Sequence, residues 1–170
     1  MANPRSENIF GALALALSDD IVRASSGAAP EGGPAASAIV LLGHEPGMSI
    51  AELAVGVGLT HPGAVRLVDR LVGDGMIERR AGNEDGRVRS LHLTDGGRSA
   101  CQTILAARSG VIAKAVGRLT SDEVEQLERL SERLLRGLLI DDRHALRVCR
   151  LCDYGSCTRC PVDSELAKRP

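Results

Sequence analysis

Aromatic side chains are nearly absent from this chain of 170 residues: it has no Trp, and Phe10 and Tyr154 are its single Phe and Tyr. A surface that stacks the bases of single-stranded nucleic acid needs several such rings, so that class of function is disfavoured. Excess charge is lacking too, because 21 Lys and Arg stand against 22 Asp and Glu. That balance argues against unselective coating of polyanions, although it leaves room for a local basic surface. No apolar run reaches 18 residues, and the opening MANPRSENIFGALALALSDD has neither the basic leader nor the long apolar stretch of a secretory signal. A cytoplasmic protein with no membrane partner is expected. The chain also has no nucleotide-binding loop, no G-x-S-x-G elbow and no carboxylate pair in a convincing setting, which points away from an enzyme. What it does have is 44% hydrophobic residues, enough to bury the core of one ordinary domain or one and a half.

Those residues are arranged mainly at helical spacing. Ile9, Leu13, Leu17 and Ile21 recur every four positions and predict a first helix from Ser6 to about Ala24. SSGAAPEGGPAAS follows as a mobile connection, and AASAIVLLGHEPG predicts a short apolar helix stopping near Gly43. Ser49 and Glu52 have the spacing of a capping box, with Met48 and Leu53 as its hydrophobic staple, and open a helix from Ile50 to about Val57. Thr60 then caps a second helix with Pro62 in its first turn. Its expected apolar set is Val65, Val68, Leu71 and Val72, with Arg66 and Arg70 sharing an exposed edge. Two short helices around a tight Gly-containing turn predict a helix-turn-helix. MIERRAGNEDGRVRSLHLT adds a β-hairpin wing, in which Val88, Leu91 and Leu93 favour the return strand. Thr94 and Asp95 cap a long helix beyond the wing, and Thr120 with Glu123 forms a second capping box, stapled by Leu119 and Val124. The helix opened there carries Val124, Leu127, Leu130, Leu134 and Leu138 at intervals of three or four.

This order of elements resembles the MarR family of winged helix-turn-helix transcriptional regulators over roughly residues 6–140. The most specific part is LTHPGAVRLVDRLVGDGMIERRAGNEDGRVRSLHLT, residues 59–94, in which Asp85-Gly86-Arg87 looks like the family's Asp-x-Arg wing tip. Ala64 stands where the family often has Ser or Thr, and Pro62-Gly63 is an unusual opening for the helix. The resemblance implies a mainly α (α+β) fold, and with the stretch beyond it the chain divides into four regions. Residues 1–47 would hold the N-terminal dimerisation and linking helices, 48–94 the winged helix-turn-helix, 95–145 the C-terminal dimerisation helices, and 146–170 a cysteine extension with its tail. It further implies a homodimer acting on a pseudo-palindromic double-stranded DNA operator, most simply as a repressor, with recognition helices about 34 to 36 Å apart. Apolar stripes on long terminal helices agree, since pairing would cover them. Arg66 is the leading candidate for a base edge, because a guanidinium can donate twice to guanine. Thr60, His61 and Gly63 sit where helix NH groups attract phosphate, and Arg70 lies one turn beyond Arg66. Arg87 and Arg89 flank the wing for the minor groove or its phosphates, with Asp85 orienting one of them. Arg79 and Arg80 are expected at the strand edge or in structural salt bridges and not as base readers. Residues 61–98 hold seven Arg and six acidic residues, so affinity would rest on a few placed arginines.

The family pattern does not account for CRLCDYGSCTRC, residues 149–160, where four of the five cysteines form two Cys-x-x-Cys pairs. In a reducing compartment such a cluster points to metal or redox chemistry ahead of disulfides. Thiolates about 2.3 Å from a tetrahedral ion lie roughly 3.8 Å apart, a separation that a Cys-x-x-Cys turn supplies. Cys149, Cys152, Cys157 and Cys160 are therefore candidate zinc ligands, with Asp153 and Gly155 turning the chain back and Arg147, Arg150 and Arg159 offsetting negative charge. An iron-sulfur cluster is the main rival, favoured by Pro161 after the last cysteine, and a reversible thiol switch comes third. Cys101 reads as a small buried apolar residue. Two further readings stand beside the regulator: a dithiol oxidoreductase, for which no thioredoxin-like βαβ pattern is present, and a metal-stabilised interaction module without DNA binding. A small organic effector in the cleft between head and dimer helices, a metal and an oxidant are all compatible with these residues.

Overall fold

The structure, a computed structural model, describes residues 3–81, 89–157 and 159–168, with Arg89 described by its backbone alone. Most helix starts have a local cause in a capping side chain. In α1 (Pro4–Gly27) the Asn3 side chain accepts from the Arg5 amide at 3.0 Å and Pro4 opens the first turn. The connection to α2 (Ala35–His44) is shorter than SSGAAPEGGPAAS suggested, because Ser25 to Gly27 finish α1 and the alanines after Pro34 start α2. Ser49 and Glu52 form the expected capping box at α3 (Ile50–Val57), and the staple residues Met48 and Leu53 are both buried. Gly58 ends α3 at φ 73°, a left-handed conformation that glycine adopts without a Cβ penalty.

Thr60 caps α4 (His61–Gly73) by accepting from the Gly63 amide at 3.3 Å. The buried face of α4 is Ala64, Leu67, Val68 and Leu71, whereas Val65 and Val72 are only half-buried. Both sets satisfy a helical period, but the observed one is rotated because Ala64 is small enough to sit fully buried and Leu67 brings more apolar surface than Val65. The wing pairs β1 (Ile77–Ala81) with β2 (Arg89–Leu93) antiparallel, Ile77 opposite Leu93 and Arg79 opposite Leu91. Asp85, Arg87 and Val88 lie outside the described residues.

Helix α5 (Asp95–Val116) runs through Gly110 without a break and packs along α1. The core centres on α2, where Ala38, Ile39 and Val40 are fully buried and Leu53, Leu67, Leu91 and Ile104 close around them. Helix α6 (Ser121–Leu138) has no buried residue and packs chiefly on α8 (Pro161–Leu166). A further helix, α7 (Asp142–Cys149), spans the boundary expected at 145/146 and lies against α3. Among the described residues no helix is long and apolar enough to cross a membrane.

Candidate nucleic-acid interface and cysteine segment

The outer side of α4 carries His61, Arg66, Asp69 and Arg70, all exposed, while its inner side seals the core. Gly63 is placed by the capping turn, where an added Cβ would lie 3.2 Å from the Thr60 hydroxyl oxygen. The arginines differ in what holds them. Arg66 has no carboxylate partner among the described residues, and its carbonyl accepts from Arg70 Nη1 at 3.3 Å. Arg70 donates from Nε to Glu31 at 2.8 Å, and this hydrogen bond raises its pKa above the usual guanidinium value. Glu31, 39 residues away in the turn between α1 and α2, had no role in the sequence reading. Arg79 pairs with Asp69 at 2.5 Å and Arg80 with Glu78 at 2.5 Å, the structural salt bridges expected of them. Of the wing candidates, Arg87 falls outside the described residues and Arg89 is fixed only through its backbone pairing with Ala81.

The wing is tied to the start of α5 by Thr94, whose hydroxyl donates to Gly75 O at 2.5 Å, and by Arg98, which donates to Leu93 O at 2.9 Å. Met76 O accepts from the Thr94 amide at 3.0 Å and from the Thr94 hydroxyl at 3.2 Å, and the same Thr94 oxygen caps α5 by accepting from the Gly97 amide at 3.0 Å. Gly97 is buried against that carbonyl, so the wing base and α5 meet with no room for a side chain.

The cysteine segment is docked on the head. Cys149 ends α7, and the Cys152 amide donates to its carbonyl at 2.9 Å. The expected turn is present as a 3-10 turn at Tyr154–Ser156, where the Asp153 carboxylate accepts from the Gly155 amide at 3.2 Å and the Ser156 hydroxyl at 2.7 Å. Leu151 joins the main core, and the His44 ring hydrogen-bonds the Cys152 carbonyl. Tyr154 stands 4.8 Å from the His44 ring, centroid to centroid, and donates to Asp163 at 2.8 Å. Burial first, then the Asp163 carboxylate, pushes the Tyr154 phenol up.

All five cysteines are free thiols. Cys101 is buried, as expected, and burial raises its pKa. The neighbouring Cys149 thiol, then Arg108 and Arg150, lowers Cys152 to about 7, and the Cys152 thiol together with burial pushes Cys149 up. Cys160, Cys149 and Cys152 share one small apolar cluster with Leu139, Ala145 and Val162, while Cys157 is exposed. As they stand, no three His, Cys, Asp or Glu side chains among the described residues converge as ligands of one ion. A cavity of about 350 Å³ opens between α2, α3, α7 and α8, walled by Leu41, His44, Leu146, Cys149, Tyr154 and Asp163.

Comparison with known proteins bears on the head. The model of the MarR family matches residues 32–88. The transcriptional regulator BilQ of Clostridium symbiosum is 32% identical over 96 residues, covering 56% of this chain and 67% of BilQ. The chain belongs to the MarR family. Members of this family are transcriptional regulators and not enzymes. PetP of Rhodobacter capsulatus, an HTH-type transcriptional regulator, is 38% identical over 60 residues, which is 35% of this chain and 36% of PetP. The chain thus spans between about a third and two thirds of the length of the curated MarR-type relatives it matches. Among solved structures, a mutant of Escherichia coli MarR complexed with operator DNA superposes with a TM-score of 0.55 at 25% identity, over 79% of this chain and 99% of that one.

Proposed function

We propose that this MarR-family protein is a homodimeric transcriptional regulator that binds a pseudo-palindromic DNA operator through α4 and the wing, most simply as a repressor. The observation that carries the reading is the division of α4. One face is fully buried, and the other presents His61 and Arg66 at the helix's first two turns, with no carboxylate partner for either among the described residues. A guanidinium outside any ion pair can meet a base edge in the major groove without first breaking an internal bond. Support for the dimer comes from the terminal helices. Ile9, Phe10 and Leu13 on α1, and Leu127, Leu130, Leu134 and Leu138 on α6, are all exposed in the single chain. Exposed apolar surface at regular helical spacing marks an interface, and a twofold pairing would bury both copies of each stripe.

The test is fluorescence anisotropy of the full chain on duplexes selected from a random pool, repeated with Arg66→Ala. The variant should lose about 1–3 kcal/mol of affinity for the selected duplex and discriminate less at the base it reads. Absence of any sequence preference in the wild-type protein, or equal affinities of variant and wild type, would refute the assignment. Sedimentation should give twice the chain mass of 17.9 kDa.

A further inference from the structure

We infer that Cys149, Cys152, Cys157 and Cys160 bind one zinc ion, and that the ion latches the C-terminal segment onto the back of the helix-turn-helix. Four free thiols in two Cys-x-x-Cys turns are a donor set for a soft or borderline cation, and in no other stretch of the sequence do cysteines cluster. The arrangement is half assembled. Cys149, Cys152 and Cys160 already share one apolar cluster, Cys160 as the N-cap of α8. Only Cys157 is exposed, beside a 3-10 turn held by Asp153. Closing the site therefore requires the exposed Cys157 side chain to turn toward the other three. Arg108 and Arg150, which line one pocket together with Cys152, would offset the net negative charge of a four-thiolate site.

The latch follows from what the cysteine segment touches. The Cys152 carbonyl is bonded to His44, the last residue of α2, and Tyr154 lies on the same ring. Leu151, adjacent in sequence to the proposed ligand Cys152, is part of the main core. Helix α7, which ends in Cys149, packs on α3, where a Cβ at Gly56 would meet Leu146 at 3.6 Å and one at Gly58 would meet Arg147 at 3.5 Å. Gly58 begins the turn between α3 and α4. An ion joining the two cysteine pairs would thus fix the chain that braces α2, α3 and the turn leading to α4. Ions that bind only the ordered arrangement stabilise it by mass action.

The experiment measures metal content and amide hydrogen exchange on the full chain, purified without chelator and then stripped. About one zinc per chain is expected, in a colourless sample. Stripping should speed exchange in α3 and α7 by at least about tenfold while leaving the α1–α5 pair unchanged. Cys157→Ser, which alters an exposed side chain, should weaken zinc binding roughly a hundredfold, and Cys101→Ser should not. Iron with sulfide, a native disulfide among the four, zinc retained undiminished in Cys157→Ser, or unchanged exchange in α3 on stripping would each overturn the inference. The metal and exchange readouts need no DNA, so the latch and the DNA-binding reading can fail separately.

Discussion

Gly97 offers the sharpest test of how the wing is mounted. A Cβ built there would lie 2.0 Å from the Met76 carbonyl oxygen and 3.1 Å from its carbon, whereas ordinary contacts begin near 3.4 Å. Gly97→Ala must therefore move one backbone against another by more than about 1 Å. Overpacking of this kind costs roughly 1–3 kcal/mol. The same displacement stretches the bond from the Thr94 amide to Met76 O, now 3.0 Å, and leaving it unmade costs about 1–3 kcal/mol more. Alanine's better helix propensity returns about 1 kcal/mol, for a net loss of about 3 kcal/mol. For a chain of this length that lowers the melting temperature by roughly 6–12 °C. Gly110 lies in the same helix with nothing within 4 Å of its would-be Cβ, so Gly110→Ala should raise stability by up to about 1 kcal/mol. Thermal unfolding followed by circular dichroism, with denaturant titration for the free energies, separates the two. Equal melting of Gly97→Ala and wild type would refute the close approach, and a parallel loss in Gly110→Ala would assign the effect to α5 itself.

Two other outcomes follow from single contacts. Glu31→Gln removes the charge that holds Arg70; because Arg70 is exposed and the pair is screened by solvent, stability should barely change. If the freed guanidinium then reaches a phosphate, the slope of log affinity against log salt should steepen by about 0.9, and an unchanged slope would mean that Arg70 stays off the duplex. Glu123 is held below its ordinary pKa of 4.5 by the Thr120 amide and then the Thr120 hydroxyl. A carboxylate depressed in the folded state stabilises fully above its unfolded pKa and loses that contribution as pH falls through the folded value. Wild type should therefore lose its advantage over Glu123→Gln on acidification from about pH 6 to about pH 3 in urea titrations, and a constant difference would contradict the capping role.

The features legible in the sequence are those whose physics is local. Both capping boxes, the Pro62 opening of α4, the Asp153 turn and the hairpin span few residues and act through bonds to their own neighbourhood. Periodicity marked α4 as amphipathic but left its rotation open, since two sets of apolar positions fit the same period and only packing against α3 and β1 selects Ala64 and Leu67. Nothing in PEGGP announces that Glu31 will hold Arg70, because the pair is made across 39 residues by the path of the chain.

The cysteine segment divides the same way. Its composition alone named four candidate ligands and the turn between them, because thiol chemistry and Cys-x-x-Cys spacing are properties of residue type and order. That the segment lies against His44 and α3, with Leu151 in the core, was decided by tertiary structure. Burial of Leu151 and Leu146 against a distant helix is non-directional and leaves no mark in the order of residues. The sequence by itself determined a winged helix-turn-helix with an added set of thiols; the folded chain decided which arginine of α4 is tied to Glu31 and which face of the head the cysteine segment lies against.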